Sequence, residues 1–134
     1  MQICVLVLDG VFDTGLSTVL DTLQTANELA QGTRAGSRLR VTVAGVRHRA
    51  RTQQGWQVPL AALPRARPDV VIVPALAAKS PSALEPALRR RDVAQVGAAL
   101  CSWSRAGTRV AAACTGTFVV ANAGLLDGRR ATTT

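Results

Sequence analysis

The chain is 134 residues long, 48% hydrophobic and 18% charged, with a formal net charge of +8. That length accommodates one domain or part of one, with enough apolar residues for a sizeable core. No apolar run approaches a membrane span. Ile3 to Leu8 is too short for a signal peptide and has no basic lead, so a cytoplasmic protein with no membrane contact is expected.

Aromatic residues are few (Phe12, Trp56, Trp103 and Phe118), so Ala, Val and Leu must build the core. Ile3 to Leu8 is a continuous apolar run, the pattern of a strand buried on both faces, and Asp9-Gly10 ends it. Apolar residues at 16, 19, 20, 23, 26, 29 and 30 have helical spacing, which predicts an amphipathic helix over 15–30 with Asp13 or Thr14 as its cap. Gly32 and Gly36 frame a loop. Residues 39–45 alternate and turn, giving a second strand.

Residues 47–60 are polar around Gly55-Trp56 and predict a loop with a short hairpin. Pro64 and Pro68 exclude a helix between them. Asp69 to Val73 is a third strand, closed by Pro74. Ser80-Pro81 and Glu85-Pro86 suggest a loop with one helical turn. A helix is predicted over 92–105, with apolar positions 93, 96, 100 and 103 and a stop at Gly107. Residues 109–113 form a fourth strand and 115–123 a further helix, ended by Gly124. Strand and helix alternate, with connections too long for hairpins, which gives a parallel sheet with helices on both faces.

The charge would ordinarily raise a nucleic-acid partner. Arginine, however, is spread along the chain. The clusters at 47–51 and 89–91 read as solvated faces, with no aromatic interleaved to stack bases. Three cysteines (Cys4, Cys101 and Cys114) are an odd number at spacings unlike any zinc motif, so neither a disulfide framework nor a metal is expected. Cys4 and Cys101 read as small buried hydrophobes.

Cys114 differs because it falls between a strand and a helix. In parallel sheets functional groups gather beyond the C-terminal strand ends, here Asp9-Gly10, Gly45-Val46, Pro74-Ala75 and Cys114. A helix N-terminus presents unpaired amides and partial positive charge, lowering a thiol pKa by about one unit from ~8.5. Gly116 permits close backbone approach. Hydrolysis also needs a base and a proton relay. The one histidine, His48, reads as an exposed loop residue, and Asp9 as a turn cap rather than a proton-transfer group.

The stretch from Ala111 through Cys114-Thr115-Gly116-Thr117-Phe118 to Thr133 resembles the elbow of the ThiJ/PfpI superfamily. More narrowly, it resembles the class I glutamine amidotransferase-like domain at the N-terminus of AraC-type transcription regulators. Residues 5–21 and 69–74 are similar to the same group. The resemblance spans 1–134 as one domain and implies a flavodoxin-like α/β fold, often a homodimer. It implies a domain that senses a small molecule, DNA being bound by a separate helix-turn-helix unit absent from these residues. No cofactor is implied.

Enzymatic relatives, by the same resemblance, use the elbow cysteine with a following histidine and an acid on the first helix. Here Ser17 falls near the acid position, and Thr134 follows Thr133 where a histidine is common. The expectation is therefore a fragment: the last strands and covering helix missing, a strand stub at 130–134, and marginal stability as a monomer. Cys114 is the candidate nucleophile or pocket thiol, and Asp9, Gly10, Ser17, Pro74, Ala75, Thr115 and Gly116 are candidate ligand contacts. The expected function is non-catalytic sensing; the alternative is a cysteine-dependent hydrolase, deglycase or hydratase.

Overall fold

The structure is a computed structural model and describes residues 1–30 and 38–133. Five parallel strands form one sheet in the order β5-β2-β1-β6-β7: β1 (Gln2–Leu6), β2 (Arg40–Gly45), β5 (Ala61–Ala62), β6 (Val70–Val73) and β7 (Arg109–Ala112). An antiparallel hairpin, β3 (Arg49–Arg51) with β4 (Gln57–Pro59), lies beside it. Helix α1 (Asp13–Ala30) carries the crossover from β1 to β2, while α2 (Pro81–Leu88) and α3 (Arg91–Arg105) carry that from β6 to β7. Helix α4 (Gly116–Asn122) follows β7. This is the expected flavodoxin-like α/β arrangement.

β1 is central, which explains its unbroken apolar run. Cys4, Leu6 and Leu8 point to one face, where they meet Val93, Val96, Leu100 and Trp103 of α3 and Val119 and Val120 of α4. Val5 and Val7 point to the other, against Leu16, Val19, Leu20 and Leu23 of α1. Burial on both faces keeps Cys4 at 1% exposure and pushes its thiol pKa up to about 11 by desolvation, so it is a neutral packing group. Cys101 is only half-buried. Its Sγ donates to the Ala123 carbonyl across the α3–α4 contact, at 3.1 Å.

Several local expectations need correction. The apolar stripe of α1 does not stay inward: Ala26 and Leu29 are exposed. There Asn27 turns toward β2, its amide bonding both the N–H and the carbonyl of Leu39 (2.7 and 2.9 Å). Ser80-Pro81 opens a full helix rather than a single turn. Ser80 caps it by accepting from the Ala83 amide, and Pro81 sits where its missing N–H costs nothing. Residues 130–133 are irregular, so the strand expected there is not formed; Thr134, like the loop framed by Gly32 and Gly36, lies outside the described residues.

The stop of α3 is as expected. Gly107 has φ +94°, and the amides of Gly107 and Thr108 return to the carbonyls of Ser104 and Trp103, a Schellman closure. At the start of α1 neither expected cap operates. The Phe12 carbonyl accepts the first helical bond, from Leu16, and Asp13 is the first helical residue.

The Asp13 carboxylate instead holds the hairpin. It accepts from the Thr52 side chain and from the Gln54 amide (3.1 Å). The Thr52 bond above all keeps its pKa below the usual 3.8, although desolvation pushes the other way. A carboxylate with a lowered folded-state pKa stabilises the fold above its unfolded pKa and loses that contribution as pH falls. Asp13→Asn should therefore lower the melting temperature at pH 7, and the gap to wild type should close on acidification below pH 3.8. A pH-independent gap would contradict this.

Candidate functional site

The corner after β7 is built on backbone bonds. The Ala113 amide donates to the Val73 carbonyl (3.0 Å), extending the β6–β7 ladder by one residue. The chain then reverses at Cys114, whose φ of +49° makes it the one non-glycine residue in the left-handed region among the described residues. Such a conformation costs roughly 1–3 kcal/mol and persists only where its surroundings impose it.

Two neighbours impose it. The Thr115 hydroxyl donates to the Leu76 carbonyl at 2.6 Å. Gly116 presses on the carbonyl of Val73, and a Cβ there would lie 2.6 Å from the Pro74 oxygen. The corner is thus clamped to the segment after β6, leaving Cys114 exposed at the surface.

The amides at the start of α4 are less available than the sequence suggests. Those of Gly116, Thr117 and Phe118 bond the carbonyls of Ala113, Cys114 and Thr115 in tight turns. The Thr115 amide has no acceptor among the described residues.

The loops after β1 and β6 are knitted together beside this corner. The Phe12 amide donates to the Ala75 carbonyl, and the Ala77 amide to the Gly10 carbonyl, both at 2.8 Å. Gly10, at φ +74°, also donates to the Arg51 carbonyl of the hairpin.

Pro74, Ala75, Cys114, Thr115 and Gly116 therefore gather in one place. Pro74 and Ala75 are buried. Asp9 and Gly10 face the hairpin instead: the Asp9 carboxylate accepts from the Arg47 guanidinium and the Arg51 amide, both at 2.9 Å. Ser17 is exposed one turn into α1. Its hydroxyl lies 3.2 Å from its own helix's Asp13 and Thr14 carbonyls, with no bond to Cys114 among the described residues. Among the described residues no cluster of His, Cys, Asp and Glu could hold a metal, and no helix is long and apolar enough to cross a membrane.

No family model matches the sequence, and no curated protein does. Solved structures do match. One is described as a transcriptional regulator protein from Vibrio parahaemolyticus, 21% identical over 98% of this chain and 65% of its own, with a TM-score of 0.72. Oxidized DJ-1 of Toxoplasma gondii is 25% identical over 98% of this chain and 66% of its own, also at 0.72. An AraC family transcriptional regulator from Pseudomonas putida is 19% identical over 96% of this chain and 63% of its own, at 0.69.

This is the DJ-1/ThiJ/PfpI superfamily fold. The chain spans slightly less than two thirds of the length of each of the three structures just described. Within the DJ-1/ThiJ/PfpI sheet, strand order decides which groups reach Cys114. His48 follows β2, and β2 is three strands from β7. At ~4.8 Å per strand that separation is about 14 Å, beyond any hydrogen bond.

Two features were missed by sequence reasoning. The Thr133 hydroxyl returns to the Cys114 carbonyl at 3.1 Å, bringing the end of the described chain against the corner. Trp56, taken as part of a polar loop, stands 72% exposed at the tip of the β3–β4 hairpin. Neither has a local signature, because each depends on chain segments that meet only after folding.

Proposed function

We propose that this chain is the small-molecule-sensing part of an AraC-type transcription regulator, with Cys114 contributing a side chain to the ligand site rather than a nucleophile. The observation that carries this is the strand order: β2, which His48 follows, lies three strands or about 14 Å from β7, so His48 is not placed to take the Cys114 proton. Ser17, in the first helix, has no acid–base capacity at neutral pH. The similarity to two structures described as transcriptional regulators supports the same reading. In such a regulator, DNA contact belongs to a helix-turn-helix unit outside these 134 residues, and the working form is a cytoplasmic homodimer.

The ligand would lie over the ends of β6 and β7, against Cys114 and the Thr115 amide. A thermal-shift survey with amino acids, aldehydes and short carboxylic acids tests this. At least one compound should raise the melting temperature with rising concentration, as mass action requires. Cys114→Phe, whose ring would occupy the corner, should abolish the shift. Shifts that persist in that variant would place the ligand elsewhere.

A second reading, a cysteine-dependent hydrolase, deglycase or hydratase, draws on the left-handed Cys114 and on the Thr115 amide, which has no acceptor among the described residues. A strained corner and a donor beside the thiol are what such chemistry uses. It requires a proton acceptor near Cys114 in addition.

A further inference from the structure

The stretch from Arg47 to Pro68 contains five arginines and a histidine, and no acid before Asp69. Folding concentrates part of this charge on the β3–β4 hairpin. Ala50 and Val58 turn into the core, so Arg49, Arg51 and Gln57 remain exposed. Gln53, Gln54 and Trp56 are exposed at the tip. The Arg51 guanidinium reaches this tip, within 3.4 Å of where a Cβ on Gly55 would lie, and has no carboxylate partner among the described residues. Arg49 bonds the neutral Gln57 amide, at 3.0 Å, and has no carboxylate partner among the described residues. Arg47 bonds Asp9 yet keeps 68% of its side chain exposed. Asp9 and Asp13 accept from hairpin backbone amides, and Asp92, which lines a cleft with Arg47 and Arg49, is paired with Arg90.

We propose that this hairpin face docks single-stranded nucleic acid, with Trp56 stacking on a base, Arg49 and Arg51 meeting successive phosphates, and the glutamine amides reaching base edges. The side chains of i and i+2 leave the same face of a strand about 6.7 Å apart. That spacing gives Arg49 and Arg51 a row along which an extended backbone can run. An aromatic plane with flanking guanidinium groups is the sequence-tolerant recipe for unpaired bases.

Charge complementarity decides against the other occupants. A second copy in an isologous contact would set arginine against arginine with no acid to relieve it. A membrane surface calls for several apolar side chains, whereas Trp56 stands alone among three glutamines. A duplex hides its base faces from the indole. The inference does not depend on the sensing role, and this surface is distinct from any helix-turn-helix unit.

The test is a titration of the full chain with a labelled oligothymidine, read by anisotropy and by quenching of Trp56 emission at several salt concentrations. Saturable binding at low salt is expected. Trp56→Ala should weaken it about tenfold or more, and Trp56→Phe should retain most of it. Arg49→Ala and Arg51→Ala should each reduce the slope of log affinity against log salt by about 0.7. All three side chains are exposed, so the circular dichroism of the four variants should match wild type. Any one of the following would overturn the proposal: no saturable binding, affinity indifferent to Trp56→Ala, or equal binding to a duplex of the same length, to phosphatidylserine vesicles or to polyglutamate.

Discussion

Gly116→Ala is expected to be among the most destabilising single-methyl additions in this chain. Its Cβ would lie against the Val73 carbonyl and 2.6 Å from that of Pro74, and both obstacles are backbone. A flexible side chain can rotate away; the end of β6 cannot, because it is held in the ladder with β1 and β7. Overpacking of this kind costs about 3 kcal/mol or more, a fall of roughly 10 °C in melting temperature for a chain of this size. Gly45 is the instructive comparison. A Cβ there would meet a Leu60 methyl at 2.6 Å and the Val7 carbonyl at 2.8 Å. Half of that conflict is a movable side chain, so Gly45→Ala should cost less. Equal melts for Gly116→Ala and wild type would show that the corner is not clamped as described.

Trp103→Ala should lose about 3–5 kcal/mol. Trp103 is the one buried aromatic residue of a chain with only four, and is 7% exposed. It packs in the cluster that joins β1, β6, α3 and α4, and its carbonyl closes the end of α3. Alanine would leave an indole-sized void beneath the helices that carry the Cys114 corner. Total stabilities of domains this size are about 5–15 kcal/mol, so the variant should unfold at a much lower urea concentration. Leu29→Ser is the control: Leu29 is 73% exposed, and its replacement should change stability by no more than about 0.5 kcal/mol. Comparable losses in both variants would mean that the core is not where the structure places it.

The fold was largely legible because β1, β2, β6 and β7 carry apolar patterns matching their depth in the sheet. Ile3 to Leu8 runs unbroken because both its faces are covered, whereas β7 pairs with β6 alone among the described residues. β5 escaped notice because Ala61 and Ala62 pair with β2 while remaining exposed, so no periodicity marks them. The helix at Pro81 was underestimated because Pro86 reads as a breaker, yet it lies near the end of a short surface helix with no buried residue. Asn27 broke the α1 stripe because its amide partner is a peptide twelve residues away, visible only in three dimensions.

The candidate site was legible in outline. The Cys114 turn, the close packing of Gly116 and the proximity of Pro74 and Ala75 follow from the rule that loops gather at the C-terminal ends of parallel strands. The division of labour among those loops did not follow. Asp9 lies next to the right strand end, but its carboxylate is drawn to Arg47 and Arg51 by the hairpin folded over it. Ser17 has the right helix, but its hydroxyl lies against that helix's own carbonyls.

The central proposal is that the corner holds Cys114, exposed and at a left-handed φ, as part of a ligand site rather than as a nucleophile. Turnover by the full chain tests it most directly, with p-nitrophenyl acetate and methylglyoxal as substrates and Cys114→Ser measured alongside wild type. The account predicts that both proteins match the uncatalysed rate throughout pH 6–9. Multiple turnovers by wild type that disappear in Cys114→Ser would contradict it and establish the chain as a cysteine-dependent enzyme.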